Sequence, residues 1–378
     1  MLGNLDTSVL VTGATGFIGR HVVGRLLLAG RRVVVLARGR TGMSAQQRVA
    51  TIFGDVSKRL EIVEGDLACP SGIRNRLRRL QSKVGTVIHC ASEVHFYQEK
   101  QPSTRIVQID GPLALLRMLR DRGLRSWAFV STAFVCGRRS GVIYENENHM
   151  VHRFHNSYEC LKLESELRLK QACLQLGIDF RIFRPSIVIG AAPLTAGGMP
   201  SNLFFAFLRL LLVLARAAEA KPIHLRIQGR PYARFNIVPV EYVATAIERL
   251  IDDPDASGGI FHLVVSNPPG QKALLDMMCG RLGLYGPRIL DTREELRDPS
   301  ALELRLAKMM LPYRNYLEQD VQFDDSRARG LLDRHGIEAP KIDNRQVDRL
   351  IELARRNAGK PTNLSKELAV DLTAGMEN

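Results

Sequence analysis

A tyrosine and a lysine stand four residues apart in a segment with helical character. Tyr158 and Lys162 both lie in the segment Asn156–Lys162, and of the eight tyrosines only Tyr158 has a lysine four residues later. Positions i and i+4 share one face of a helix, so both side chains can reach the same cleft. The pKa of tyrosine is about 10, and a nearby ammonium favours the phenolate and lowers that pKa. The spacing therefore predicts that Tyr158 exchanges a proton with a substrate.

A hydroxyl at the end of a predicted strand completes a candidate catalytic set. Thr132 lies in the segment Ser131–Gly137, upstream of Tyr158. The carboxyl ends of parallel strands face the ligand crevice of a sheet, so Thr132 is expected to bind the reacting oxygen, with Ser131 as the alternative hydroxyl. In a reduction, a nicotinamide supplies hydride, Tyr158 supplies the proton, and Lys162 also holds the nicotinamide ribose.

The segment from Thr12 to Gly19 has the glycine spacing of a dinucleotide-binding loop. It follows a strand-like run and leads into an amphipathic stretch that begins near Phe17. Such a loop needs glycines for a sharp turn, for approach to a pyrophosphate and for close helix packing, while the helix N-terminus offers N–H groups to phosphate. The sequence predicts nucleotide contacts from Gly13, Thr15, Gly16, Phe17, Ile18 and Gly19.

The residues after the second predicted strand indicate which dinucleotide binds. An NAD site usually places a carboxylate there, whereas an arginine accommodates a 2′-phosphate. The sequence offers Arg38 and no carboxylate within Val35–Arg40. NADP(H) is therefore favoured over NAD(H), and the alternative is that Arg38 and Arg40 are solvated loop residues. Asp66 and Leu67, after the third predicted strand, are expected beside the adenine.

Strand-like apolar runs alternate with stretches of helical periodicity over residues 1–190. This alternation predicts an α/β fold, a Rossmann-type doubly wound parallel sheet. Residues 1–190 are predicted to form the NAD(P)-binding domain, completed by segments near 235–265. Residues 191–234 and 266–356 are predicted to form a smaller, mainly helical C-terminal substrate lobe, and residues 357–378 are expected to be a loosely held tail. The predicted strands are Val9–Thr12, Arg32–Leu36, Leu60–Val63, Thr86–Cys90, Trp127–Ser131, Phe180–Phe183 and Ile260–Val265.

The composition indicates an ordinary globular protein with an excess of basic groups. The 378 residues are 45% hydrophobic and carry a net charge of +14, which favours anionic partners. One tryptophan and no basic stripe with interleaved aromatics argue against nucleic acid. The six cysteines lack C-x-x-C spacing, so no metal site or disulfide framework is predicted. Reduced thiols and the absence of a signal-peptide pattern lead us to expect a cytoplasmic location.

The apolar segment Leu203–Ala215 is too short to cross a membrane. A spanning helix needs about 20 apolar residues, and this segment also contains Arg209. No transmembrane segment is predicted. A helix that is apolar almost all round packs in a core, covers a hydrophobic substrate as a lid, or touches lipid, so peripheral membrane contact stays open.

The motifs together resemble those of extended short-chain dehydrogenases/reductases. The general match rests on Thr12–Gly19, Ser131–Gly137 and the pair Tyr158 and Lys162. In finer detail the sequence resembles the branch that contains thioester reductases and fatty acyl-CoA reductases, also called male sterility-like proteins. The finer matches are Gly65–Leu67, Val87–Ser92 with Val94 and Phe96, Asn156–Glu159, Lys162–Glu166, Arg184–Gly190 and Phe235–Ala244.

The resemblance carries further residues into the expected site. It implies the catalytic roles given above, and it implies a homodimer that pairs through the helices containing Leu113–Leu119 and Tyr158–Leu169. Gln108 departs from the pattern, because many members place the asparagine of a catalytic tetrad there, and a proton relay at this position is in doubt. The implied cofactor contacts are Ala91, Ser92, Pro185, Ser186, Ile187 and Val188, and the implied substrate contacts are Val94, Phe96 and Phe134.

The leading hypothesis is NADPH-dependent reduction of an acyl thioester to an aldehyde or alcohol. The substrate would be carried by coenzyme A or an acyl-carrier protein, which suits the basic charge, and Leu203–Leu214 suits a long acyl chain. The alternative is a ketone or hydroxyl oxidoreductase acting on a sterol, polyketide or aromatic secondary metabolite, because the same chemistry serves any carbonyl. A sugar-nucleotide epimerase or dehydratase and a non-catalytic NADP(H)-binding protein are lesser alternatives.

Overall fold

Strands and helices alternate along the chain in the computed structural model, which describes residues 7–54, 58–93, 101–147, 153–191, 203–218 and 222–357. The strands are β1 (Ser8–Thr12), β2 (Val33–Ala37), β3 (Leu60–Glu64), β4 (Val84–His89), β5 (Ser126–Val130), β6 (Gly141–Ile143), β7 (Asp179–Pro185), β8 (Ile187–Ile189), β9 (Leu225–Gly229), β10 (Ile237–Pro239), β11 (Ile260–Leu263), β12 (Pro287–Asp291) and β13 (Val321–Phe323). The α-helices are α1 (Phe17–Leu28), α2 (Ala45–Phe53), α3 (Ser71–Arg78), α4 (Gln101–Arg105), α5 (Gly111–Arg120), α6 (Ser157–Gln175), α7 (Leu203–Ala217), α8 (Val240–Leu250), α9 (Gln271–Leu282), α10 (Ala301–Met310), α11 (Arg314–Glu318), α12 (Ser326–Arg334) and α13 (Asn344–Asn357).

Seven of the described strands form one parallel sheet in the order β11-β7-β5-β4-β1-β2-β3. The strand order reverses at β1, which lies between β2 and β4. A crevice for a ligand opens at such a point, outside the carboxyl ends of the strands. The predicted Rossmann-type fold is confirmed, and each predicted strand is present with its ends shifted by only one or two residues.

Side chains of β1 alternate between two apolar clusters, one on each face of the sheet. Val9 and Val11 pack with α1 and α8, whereas Leu10 packs with α3, α5 and α6. All three side chains are fully buried, and burying a valine or leucine stabilises a fold by about 1.5–3 kcal/mol. This two-faced burial explains why the strand sequences are continuously apolar.

The first turn after β1 requires glycine for steric reasons. Gly13 has a φ of +66°, and a Cβ there would lie 2.5 Å from the backbone nitrogen of Ala91. A Cβ on Gly19 would clash with the carbonyl oxygen of Gly13. These contacts bring the end of β1, the loop after β4 and the start of α1 into direct packing.

The apolar helix α7 lies in a second apolar cluster. Its residues Phe205, Leu208, Leu211 and Leu214 are fully buried in this cluster, and the helix packs against α9 and α13. Packing in a core is therefore the interpretation of this segment that the structure supports. No helix among the described residues is long and apolar enough to span a bilayer. Two short parallel ladders were not indicated by the sequence. In one of them β9 pairs with β12, and in the other β8 pairs with β10.

A buried ion pair joins α6 to the sheet. Arg184 of β7 donates to both carboxylate oxygens of Glu166 at 3.0 and 2.6 Å, and each side chain is 1% exposed. Arg184 also donates to the backbone carbonyl of Glu147 at 2.7 Å. Because a buried charge is costly unless it is paired, this contact sets where α6 lies against β7.

Replacing Arg184 with alanine should destabilise the fold strongly. The change leaves the Glu166 carboxylate buried without its partner, which typically costs about 3–5 kcal/mol in free energy of unfolding. Urea unfolding followed by circular dichroism measures this loss. Arg297→Ala is the control, since Arg297 pairs with Glu295 on the surface with side-chain exposures of 82% and 77%. Equal stability of the two variants would contradict the assigned role of the buried pair.

Candidate active site

A cleft of about 180 Å³ opens at the carboxyl ends of the central strands. The loop after β1 forms its floor, where the backbone N–H of Gly16 donates to the carbonyl of Gly13 at 2.8 Å. The predicted cofactor residues that line it are Gly13, Thr15, Gly16, Arg38, Asp66, Leu67, Ala91 and Ser92. Phe17, Ile18 and Gly19 begin α1 behind the loop, where Ile18 packs into the core. The open glycine backbone and the start of α1 fit a pyrophosphate group.

Three arginines line one end of the cleft. Arg38 lies 3.3 Å from the Asp66 carboxylate and 3.5 Å from that of Glu93. Arg40 also lines the cleft, and Arg48 of α2 donates to the Thr15 hydroxyl at 2.7 Å. Partial burial, together with repulsion from Arg40 and Arg38, lowers the pKa of Arg48.

Arg48 was missed by the sequence reasoning. A signal for it exists, because Ser44 and Gln47 form a capping box that begins α2. This start places Arg48 within the first turns of α2, from which it also donates to the backbone carbonyl of Arg38.

The pair Tyr158 and Lys162 lies on the first turns of α6, as the sequence predicts. Asn156 caps this helix, since its side-chain oxygen accepts from the backbone N–H of Glu159 at 3.0 Å. The Lys162 ammonium is buried, donates to the carbonyl of Val130 at 2.9 Å and lies 5.9 Å from the centre of the Tyr158 ring. The helix therefore brings both side chains to the end of β5.

Burial shifts the two proton-binding groups in opposite directions. It raises the pKa of Tyr158 to about 12, while an interaction with the side chain of Ser92 lowers that pKa and the charge of Glu159 raises it. The pKa of Tyr158 is thus raised and not lowered as expected from a nearby Lys162, because desolvation of the phenolate is the largest cause. Burial also lowers the pKa of Lys162 to about 8, against the opposing effects of Cys90 and Glu166.

Thr132 and Ser131 follow β5 in a short turn. Thr132 is buried, and its hydroxyl oxygen accepts from the backbone N–H of Phe134 at 3.3 Å. Ser131 donates its backbone N–H to the carbonyl of Phe183 at 2.7 Å. Phe134 packs edge-to-face on Phe323, with ring centres 5.4 Å apart, in a small apolar cluster. Its predicted contact with substrate stays a prediction, and Val94 and Phe96 lie outside the described residues.

Other implied residues support the loops around the cleft. Pro185 ends β7 and is followed by Ser186, whose hydroxyl donates to the side-chain oxygen of Asn236 at 2.8 Å. Ile187 and Val188 pair with β10. Gln108 is buried and donates to the carbonyl of Glu93 at 3.0 Å, so it holds the loop after β4. Among the described residues, no group of three or more His, Cys, Asp or Glu could hold a metal ion.

Comparison with known protein families shows which family the chain matches. The family model described as "Male sterility protein" matches residues 11–247. The chain is 27% identical over 218 residues to the NRPS-like oxidoreductase fscA of Fusarium equiseti, covering 55% of this chain and 20% of that protein. It is 24% identical over 275 residues to the carboxylic acid reductase of Segniliparus rugosus, covering 64% and 23%. The chain thus spans about a fifth to a quarter of the length of these relatives.

A solved structure shows the same fold over almost the whole chain. It is the terminal R domain from the myxalamid PKS-NRPS biosynthetic pathway, with a TM-score of 0.76 and 22% identity. The match covers 94% of this chain and 92% of that domain. The shared architecture is an extended short-chain dehydrogenase/reductase fold.

Burial of Lys162 predicts a pH dependence of stability. Desolvation lowers its pKa from the ordinary lysine value of 10.5 to about 8 in the fold, so between these two values mainly the unfolded chain binds the proton. Stability of the wild type relative to Lys162→Met should therefore rise from pH 8 to pH 10, by about 2–3 kcal/mol. Urea unfolding of both proteins at the two pH values measures it, and a pH-independent difference would contradict the assigned burial of the charge.

Proposed function

The chain belongs to the male sterility protein family, and on this premise we propose that it is an NADPH-dependent reductase of a hydrophobic carbonyl compound, with an acyl thioester as substrate. The observation that carries the proposal is the pair formed by the partly buried Tyr158 and the fully buried Lys162, beside a cleft that fits a dinucleotide. The glycine loop, Arg38 and Ser92 would hold the cofactor. When bound, NADPH supplies hydride to the carbonyl carbon.

Tyr158 is proposed as the proton donor of this reduction. Its raised pKa of about 12 keeps the phenol protonated at neutral pH, which is the form that an acid needs. Thr132 is proposed to bind the carbonyl oxygen, and Lys162 to hold the nicotinamide ribose. With a thioester, hydride would add to the carbonyl carbon and the Tyr158 proton to the carbonyl oxygen. Cleavage of the carbon–sulfur bond would then give the aldehyde and the free thiol, with that proton ending on the sulfur.

The arginines of the cleft support NADP(H) over NAD(H). Arg38, Arg40 and Arg48 lie together at the end of β2, where an adenosine 2′-phosphate would bind. Partial burial and then repulsion from Arg40 and Arg38 lower the pKa of Arg48, and a phosphate dianion between the three arginines would relieve the repulsion. Only Arg38 was named for this role from the sequence.

The substrate class is inferred from relatives and from charge. A reductase domain of a PKS-NRPS pathway and a carboxylic acid reductase are similar to this chain, which favours a thioester on an acyl-carrier protein or coenzyme A. Both carriers are anionic, and the chain has a net charge of +14. The apolar cluster around α7 belongs to the substrate lobe that we propose for residues 191–234 and 266–356.

Substrate reduction tests the proposal directly. NADPH oxidation is followed with a long-chain acyl-CoA, with the same acyl group on a carrier protein and with a ketone of similar hydrophobicity, and products are identified by mass spectrometry. Aldehyde or alcohol together with free thiol is the expected result. Turnover of the ketone alone would overturn the thioester assignment in favour of a ketone reductase.

Removal of the Tyr158 hydroxyl should abolish turnover while cofactor binding persists. Tyr158→Phe is expected to lower kcat by about 100- to 10,000-fold, because a positioned acid contributes that much. NADPH binding, measured by fluorescence titration, should stay near the wild-type value. Tyr285→Phe is the control, because Tyr285 is 61% exposed and lies outside the cleft. Retained turnover in Tyr158→Phe would exclude this residue as the proton donor.

Loss of cleft arginines should change cofactor preference. Arg48→Ala and Arg38→Ala are each expected to raise the KM for NADPH by about 10-fold or more, because a charge-assisted hydrogen bond contributes about 1.5–3 kcal/mol. The KM for NADH should change much less, since NADH has no 2′-phosphate. Steady-state kinetics with both cofactors give the ratio. Equal losses with NADPH and NADH would show that these arginines do not read the 2′-phosphate.

A further inference from the structure

One side chain from the C-terminal part of the chain reaches the start of the catalytic helix. Tyr316 of α11 donates its hydroxyl to a carboxylate oxygen of Glu159 at 2.5 Å. The same hydroxyl accepts from the side-chain amide of Asn156 at 2.8 Å. These two partners stand on either side of Tyr158 in the sequence.

The carboxylate that Tyr316 binds has no contact with solvent. The side chain of Glu159 is 0% exposed, and its other donors are the backbone N–H of His155 at 2.9 Å and the ring Nδ1 of His155 at 3.1 Å. A buried carboxylate that loses a donor is costly, so the position of Glu159 depends on Tyr316. Since Glu159 is the residue after Tyr158, this dependence extends to the first turn of α6.

Tyr316 also contacts the second segment of the proposed catalytic set. Its ring packs edge-to-face on Phe134, with ring centres 5.0 Å apart, and Phe134 lies in the short turn that Thr132 caps. The neighbouring Gln319 donates to the carbonyl of Gly137 at 2.8 Å, at the end of the same turn. Tyr316 of α11 and Gln319 just after it therefore contact the two segments that carry the proposed catalytic side chains. These segments are the start of α6 and the turn after β5.

We propose that Tyr316 is a positioning residue, through which the C-terminal part of the chain sets the geometry of Tyr158 relative to Thr132. The inference rests on the proposed function to the extent that Tyr158 is the proton donor. The ring alone provides packing on Phe134, whereas the hydroxyl provides the two hydrogen bonds to α6. Removing only the hydroxyl therefore separates positioning from packing.

The electrostatics of the cluster agree with this role. Burial and the charge of Glu159 raise the pKa of Tyr316 above its usual value, so its hydroxyl stays a donor to the carboxylate at neutral pH. Among the described residues, the charge of Glu159 and the hydroxyl of Tyr316 interact with Tyr158, and the Lys162 ammonium lies 5.9 Å from the centre of its ring. Glu159, held by Tyr316, raises the pKa of Tyr158.

Hydrogen exchange together with kinetics tests the proposal. Tyr316→Phe is compared with wild type and with Tyr285→Phe, a control whose exposed hydroxyl is removed. In Tyr316→Phe, amides in the first turn of α6 should exchange about 10-fold faster, because the buried hydrogen bonds that hold this turn are lost. The kcat should fall about 10-fold while NADPH affinity stays near the wild-type value. The midpoint of thermal unfolding should fall by only a few degrees, because one buried hydrogen-bond donor is lost.

The outcomes separate this proposal from the proposed function. Unchanged exchange at α6 in Tyr316→Phe would overturn the positioning role, and so would faster exchange spread over the whole chain, which would indicate general destabilisation. Faster exchange at α6 with unchanged kcat would also overturn it. If the wild type reduces no carbonyl compound, the proposed function fails, whereas the contact between Tyr316 and α6 is still judged by exchange alone.

Discussion

The buried ammonium of Lys162 is the constraint on which the geometry of the site depends. A lysine without water needs a hydrogen-bond acceptor, and the carbonyl of Val130 at the end of β5 provides it. This contact forces the first turns of α6 to lie across the carboxyl end of the sheet. Tyr158, one turn earlier, is then carried to the cleft, and the ion pair between Arg184 and Glu166 fixes the helix one turn later.

The same burial determines the protonation states of the site. Desolvation raises the pKa of Tyr158 and lowers that of Lys162, and it lowers the pKa of His89 to about 3. His89 is thus neutral, and its Nδ1 lies 2.7 Å from the hydroxyl of Thr12, which joins the ends of β4 and β1 beneath the cleft. With a pKa of about 12, the Tyr158 phenol is protonated at neutral pH.

The C-terminal part of the chain takes part in the site as well as in the second apolar cluster. Glu145 accepts backbone N–H groups from His262, Arg327 and Ala328, so it joins the sheet to the start of α12. Tyr316 and Gln319 add contacts to α6 and to the turn after β5. The nucleotide-binding sheet is therefore not independent of the residues that follow it.

The sequence alone determined the features that depend on neighbours along the chain. The alternation of strands and helices, the glycine turn at Gly13 and the common helix face of Tyr158 and Lys162 follow from local periodicity and sterics, and all three are present in the structure. Tertiary structure decided what depends on distant partners. Glu159 and Tyr316 are separated by 157 positions, so no local pattern could reveal their contact. The direction of the Tyr158 pKa was likewise beyond the sequence, because it depends on how completely the fold excludes water.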